Sequence, residues 1–277
     1  MSSPQPHLVV TSVSRLLWRG WPKRWILLGL RFVLAVCARD ATRATSTKTC
    51  LVLAPHPDDE TLGCATAIMR KQEAGKRVVV AIATDGAMFP EDRPRAQVAL
   101  QRELEFESAR AMLGLEREDV TWFGFPDGLL VNHIEPLNEK ITDLLRKFHP
   151  DEVLVTGTSD PHEDHAALSR AAIHAALTVP CRVVEYPIWQ WERPSTWKRL
   201  PRVRPEIVRA GQFRKRKLRV LLCYRSQLSV ADGGERVGNG LPSGILTAAR
   251  GRFEVYFPVP AATTQGLKSA RRRGRRK

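Results

Sequence analysis

Short apolar runs alternate along residues 49–187 with longer segments whose apolar positions recur every three or four residues. The runs Cys50–Ala54 (CLVLA), Arg77–Thr84 (RVVVAIAT), Glu152–Thr156 and Arg182–Tyr186 (RVVEY) are continuous and rich in β-branched residues, as in strands buried on both faces. Val120–Phe123 adds a further short strand. Between them, Glu60–Ala74, Pro94–Leu113, Asn132–Phe148 and Glu163–Leu177 carry the helical period, with Gly75 and Gly114 as stops after the first two. Strand, loop, helix, repeated, predicts an α/β domain: a Rossmann-like, mostly parallel sheet with helices on both faces. After Pro187 the pattern weakens. Residues 189–208 are rich in Trp, Pro and Arg and read as a long surface excursion, Arg209–Tyr224 as a helix, and Phe253–Phe257 as a late strand.

The N-terminal segment has a different pattern. Trp25 to Ala38 is apolar but interrupted by Arg31, and too short for the roughly 20 apolar residues of a bilayer-spanning helix. Trp18, Trp21, Trp25, Leu28, Phe32 and Ala35 fall on one helical face, with Arg15, Arg19, Arg24 and Arg31 available for lipid phosphates and Pro22 starting or kinking the helix. An interfacial membrane anchor fits this arrangement best. An arm that packs on the core or stays disordered, and a cleaved or spanning signal, are the competing readings.

Charge sharpens the division. The chain has 277 residues and a formal charge of +15, which by itself suggests a polyanion as partner. Residues 1–48 carry +7, and the low-complexity tail 268–277 another +7, so residues 49–267 carry only +1. Within that middle, 51–200 is acidic at −7 and 201–267 basic at +8. The expected organisation is therefore a basic and apolar segment at 1–48, one catalytic domain at 49–267, and a disordered polycationic tail. No motif for reading DNA or RNA accompanies the charge, which argues against nucleic acid. The five cysteines are scattered, without a CxxC pair, as expected in a reducing compartment.

In a parallel sheet, ligands bind beyond the carboxyl ends of the strands. The loop after the first strand reads Pro55-His56-Pro57-Asp58-Asp59-Glu60, and that after Glu152–Thr156 reads Ser159-Asp160-Pro161-His162-Glu163-Asp164-His165. Alone, the first is ordinary helix capping and the second an ordinary surface HxxH. Together, at one sheet edge, they form an imidazole and carboxylate set suited to a divalent zinc-like ion with an open position. A further carboxylate could take a proton from water, and a further histidine could meet developing negative charge.

At APHPDDETLGC (54–64), TDG (84–86), GFPDGLL (124–130), DPHEDH (160–165) and YRSQL (224–228) the chain resembles the LmbE/PIG-L-like zinc-dependent N-deacetylases, in family order and over roughly 50–257. The paired HPDDE and HxDH elements are the specific part. The resemblance implies that His56, Asp59 and His165 hold Zn2+ and that Asp58 is the general base acting on metal-bound water. It further implies that His162 stabilises the oxyanion, as imidazolium, and protonates the leaving amine. Asp164 is expected to orient His162 by a hydrogen bond. Asp127 matches a position that recognises sugar hydroxyls in relatives; a plain turn role before Gly128 is the alternative. Ala65-Thr66 stand where many relatives have GG, a change expected to alter packing and not ligation. Arg93 or Arg95 could bind a sugar or phosphate, and Trp189, Trp191 and Trp197 could stack on sugar rings or simply pack on the domain.

These readings converge on a metal-dependent hydrolase that removes acetyl from an N-acetylglucosamine-type sugar. The termini suggest a lipid-linked or membrane-proximal substrate, at an anionic surface on the cytoplasmic face; a small soluble thiol-precursor glycoside or a glycopeptide is the alternative. Iron or cobalt could replace zinc at a His2Asp site. The alternative is a polyanion-binding protein that uses the basic termini and keeps the α/β domain as a non-catalytic scaffold; the intact Asp58 argues against it.

Overall fold

The computed structural model describes residues 23–88, 93–193, 197, 203–228 and 240–260. Among them, eight strands form one sheet: β1 (Arg39–Asp40), β2 (Cys50–Ala54), β3 (Val78–Thr84), β4 (Val120–Phe125), β5 (Glu152–Thr156), β6 (Arg182–Tyr186), β7 (Glu206–Arg209) and β8 (Phe253–Pro258). Their order is β1-β7-β8-β6-β5-β2-β3-β4, and only the pairings of β8 with β6 and β7 are antiparallel. Side chains alternate between two cores. Cys50, Val52 and Ala54 of β2 join one apolar cluster, while Leu51 and Leu53 join the other. Both faces of the strand are therefore covered, as its unbroken apolar run requires.

The first cluster packs beneath α1 (Lys23–Cys37), α3 (Asp59–Glu73), α4 (Arg95–Leu113), α7 (Arg214–Leu221) and α8 (Ser243–Ala249); α2 (Thr42–Ser46) is a short turn of helix before β2. The second packs beneath α5 (Ile134–Phe148) and α6 (Glu163–Thr178). Strands β2, β5 and β6 have the bounds that their sequence runs imply. Continuous β-branched runs between turn residues leave little choice of ends.

Three expectations need correction. The described part of 189–208 is not a surface excursion: Trp191 and Trp197 pack edge to face in the core, Trp197 also against Phe257, and Glu206–Arg209 is a strand. The helix expected at Arg209–Tyr224 is restricted to Arg214–Leu221, after a single tight turn at Gly211–Phe213. Residues 23–48 are not wholly an appendage. Leu27, Leu30 and Leu34 of α1 enter the first core, and β1 extends the sheet beside β7.

Helix α1 is apolar on two sides. Leu28, Phe32 and Val36 remain 50%, 70% and 66% exposed opposite the buried leucines. Arg31 is not available to lipid phosphates. It is buried, donates to the carbonyls of Ala248 and Phe253, and stacks over the rings of Phe253 and Trp191. Arg15, Arg19, Trp18, Trp21, Pro22 and the tail 268–277 lie outside the described residues.

Candidate active site

Strand β2 sits between β5 and β3, with β6 beyond β5 on one side and β4 beyond β3 on the other. That reversal of strand order leaves a crevice at the carboxyl ends of β2 and β5. The two motif loops follow these two strands. TDG follows β3 and PDG follows β4, so all four loops share one edge.

Hydrogen bonds tie the loops together. The Thr84 amide and hydroxyl both donate to the Pro55 carbonyl, at 3.0 and 2.9 Å. Asp85 accepts from the Asp127 amide at 3.1 Å, and Asp127 from the Met88 amide at 3.0 Å. Asp164 receives the amides of Gly128 at 2.7 Å and Leu130 at 3.0 Å. At Gly86, φ is +62°, and a Cβ would stand 2.7 Å from Pro57 and 2.9 Å from Arg102 Nε. Only glycine lets TDG lie this close beneath the HPDD loop.

Three donor atoms converge at this edge. His56 Nδ1 lies 3.2 Å from Asp59 Oδ2, Asp59 Oδ2 lies 3.3 Å from His165 Nε2, and His165 Nε2 lies 3.3 Å from His56 Nδ1. Tetrahedral zinc with bonds of about 2.0–2.1 Å separates its ligands by about 3.3 Å, so these residues fit the ion. The other ring nitrogens face carboxylates: His56 Nε2 is 2.9 Å from Asp127 and 3.2 Å from Asp164. His165 Nδ1 is 3.4 Å from Asp160, at ion-pair distance and without an aligned hydrogen bond. Such contacts orient metal-ligating imidazoles. His162 also comes near, its ring centroid 4.8 Å from those of His56 and His165. Two further groupings, of His56 with His162 and His165 and of His56 with Asp127 and Asp164, share the same imidazole. We prefer the triangle, because both Asp164 oxygens already accept backbone amides.

The electrostatics demand positive charge. Asp58, Asp59, Asp127, Asp160 and Asp164 are all buried here. Burial disfavours the histidine cations, yet the carboxylates outweigh it, holding His56 well above its usual value and His165 at about 9. Asp59 and Asp127 stay ionised well below the ordinary range, since the neighbouring histidines overcome their desolvation.

Asp58 adjoins this cluster but is not part of the triangle. Its backbone has φ 138°, a conformation rare for any residue but glycine. Burial pushes its carboxyl up to about 7, against the opposing pull of Arg102, whose Nη1 is 3.5 Å from Oδ2. A carboxyl poised there can accept a proton near neutral pH.

Two site expectations change. Asp164 does not hydrogen-bond to His162; its partners are His56 and the amides of Gly128 and Leu130, which couple the PDG loop to the cluster. The imidazolium form expected of His162 is opposed here: burial, then the charges of His165 and His56, bring its pKa down to about 4, and its Nδ1 is buried without a partner. Of the two candidate arginines, Arg95 reaches the Asp127 carbonyl at 3.5 Å, whereas Arg93 turns to Gln101. Trp189 approaches His162 with ring centroids 6.1 Å apart, while Trp191 and Trp197 belong to the core.

Sequence reasoning passed over Asp160 and Arg102. The first was visible as a carboxylate two residues before His162, whose amide it accepts at 3.0 Å. Arg102 lies mid-helix, 44 residues from its partner Asp58, without a local signal.

Residues 51–176 match the family PIG-L, GlcNAc-PI de-N-acetylase. The chain is 24% identical over 159 residues to the uncharacterized deacetylase YaiS of Escherichia coli, covering 56% of this chain and 78% of YaiS. It is 28% identical over 120 residues to the diacetylchitobiose deacetylase of Thermococcus kodakarensis, covering 43% of this chain and less than half, 44%, of that protein. The structure of a conserved protein from Thermus thermophilus superimposes with a TM-score of 0.52 at 30% identity, covering 68% of this chain and 83% of that one. With the paired HPDDE and HxDH loops on one metal-competent edge, the chain belongs to the PIG-L (LmbE-like) deacetylase family and is a hydrolytic N-deacetylase.

Proposed function

We propose that this deacetylase uses zinc, held by His56, Asp59 and His165, to remove the acetyl group from an N-acetylglucosamine-type sugar. The observation that carries the metal part is the triangle of donor atoms at 3.2–3.3 Å, beside a carboxyl that burial raises to about 7. Zinc in such a site supplies Lewis acidity toward an acetamide carbonyl and makes water more acidic.

The chain's own residues do the rest. Asp58 takes the proton of the water that attacks the acetamide carbon. His162, neutral near pH 7, offers an N–H to the developing oxyanion. The C–N bond then breaks, and the amine leaves with a proton returned through Asp58 or His162. Asp164 and Asp127 fix the tilt of His56, and Asp160 fixes His165. Arg95 and Trp189 flank the cluster and contact the sugar or its aglycone, Trp189 through its apolar face.

The sugar choice is supported by the relative named for diacetylchitobiose. We further propose a glycolipid substrate, met at the cytoplasmic face of an anionic membrane. The exposed Leu28, Phe32 and Val36 of α1, in a segment carrying +7, support it. The contact proposed is peripheral; no described helix is long and apolar enough to cross a membrane. In this reading residues 49–267 are the catalytic unit and 268–277 a cationic tail.

The test is a panel of N-acetylated sugars and lipid-linked sugars, following released acetate with zinc-loaded and chelated protein. Acetate from an amino sugar, abolished by chelator and restored by zinc, is expected. Hydrolysis confined to other amides, or indifferent to chelation, overturns the reading.

A further inference from the structure

The YRSQL segment reaches the catalytic loop through Tyr224. Tyr224, fully buried, donates its hydroxyl to Glu60 Oε1, which also accepts the Thr61 hydroxyl at 2.6 Å. The other oxygen, Oε2, accepts the backbone amide of Asp58 at 3.1 Å. That amide belongs to the residue with φ 138°. A non-glycine residue stays in such a conformation only where its surroundings over-determine it.

The carboxylate end of Asp58 is held from a second direction. Arg102 Nη1 stands 3.5 Å from Oδ2, and Arg102 Nε is buried with no hydrogen-bond partner. One turn further along α4, Glu105 accepts the Ser226 amide and hydroxyl at 2.8 and 2.7 Å. The turn Arg225–Gln227 is thus pinned to the helix that presents Arg102, while Tyr224 reaches across to Glu60.

We infer that Tyr224 and Glu60 are positioning residues for the reaction: through the Asp58 amide they hold the general base in a backbone conformation it would not otherwise keep. Neither touches the donor triangle. The inference rests on Asp58 being the base. It gives YRSQL a role distinct from ligation and explains why a carboxylate follows the Asp-Asp pair.

The test is a double-mutant cycle on the full-length, zinc-loaded protein. Tyr224→Phe removes one hydroxyl and keeps the ring. It should lower kcat on the order of tenfold to a hundredfold, the scale of one hydrogen bond to a charged group, leaving KM and zinc stoichiometry unchanged. In an Asp58→Asn background the same substitution should cost nothing more, because residues acting through one another are not additive. If Tyr224→Phe does not accumulate as folded protein, Glu60→Gln replaces it in the cycle with the same expectations. An unchanged kcat, an equal loss in both backgrounds, or loss of zinc in proportion to activity overturns the relay. Full activity in Asp58→Asn alone rejects the general-base reading and the relay with it. Inactivity of Asp58→Asn with a neutral Tyr224→Phe rejects the relay only.

Discussion

Both ends of the sheet bury charge, but in opposite balance. At the amino-terminal edge, four strands begin with a charged residue: Glu152 on β5, Arg182 on β6, Glu206 on β7 and Arg39 on β1. Lys71 lies 2.7 Å from Glu152, and Arg182 bridges Glu152 at 2.7 Å and Glu206 at 2.6 Å. Lys48 stands 3.4 Å from Glu152, and Arg39 completes the row on Glu206. Every carboxylate there has a fixed cation. At the carboxyl-terminal edge, five buried aspartates meet one arginine and three histidines, of which His56 and His165 balance them by holding protons above the usual imidazole range. Buried charge alone therefore does not mark a site. A structural network is closed, whereas a cation site is left short of positive charge by the protein itself.

Substitutions at the two edges should separate accordingly. The largest effect expected is at Asp58. Asp58→Asn should lower kcat by about 10²–10⁴-fold, the usual worth of a general base, with zinc retained; parent-like turnover in a steady-state assay contradicts the assignment. At the opposite edge, Lys71→Met should remove the fully buried one of the two cations that stand 2.7 Å from Glu152. Breaking a buried pair costs about 3–5 kcal/mol, to be read by denaturant unfolding, while kcat of the folded fraction stays at the parent value. A fall in kcat there would erase the distinction between the edges.

Acidity sharpens the comparison further. The Asp58 carboxyl is raised to about 7, so its basic form is lost as pH falls through that value, and kcat/KM should fall with it. Bound cation adds positive charge and moves this limb to lower pH. The limb should be missing from the residual rate of Asp58→Asn. In metal-free protein the same raised pKa favours folding below the unfolded value of 3.8, and that contribution is lost as pH rises toward 7. The smallest effect concerns the surface: exchanging Leu28 and Phe32 for serine should weaken binding to anionic vesicles in a sedimentation assay and leave hydrolysis of a soluble sugar unchanged. Vesicle binding that survives would place the contact elsewhere.

The catalytic edge was legible in the sequence because its information is local. HPDDE and DPHEDH each follow an apolar β-branched run, and a parallel sheet brings strand ends of one polarity to one edge. The ends of β2, β5 and β6 were equally plain. Strand β7 was not: Glu206–Arg209 is four residues long, follows an Arg- and Pro-rich stretch, and is a strand because β8 and β1 pair with it. The partner of Asp164 depends on where the PDG loop folds back, and the charge of His162 on two histidines brought beside it. Arg31 was misread for a similar reason. Its charge suggested solvent and lipid, whereas carbonyls and rings more than 150 residues away take it into the core. Spacing along one segment cannot report contacts made by another.

The central claim is that the deficient edge is a cation site on which deacetylation depends. Zinc content and acetate release, measured on the same samples of parent, Asp59→Ala and His165→Ala protein across a zinc titration, test it most directly. One zinc per parent chain is expected, with acetate release rising in step with occupancy and both lost in the two variants. Acetate release without bound metal, or full zinc occupancy in either variant, would contradict it.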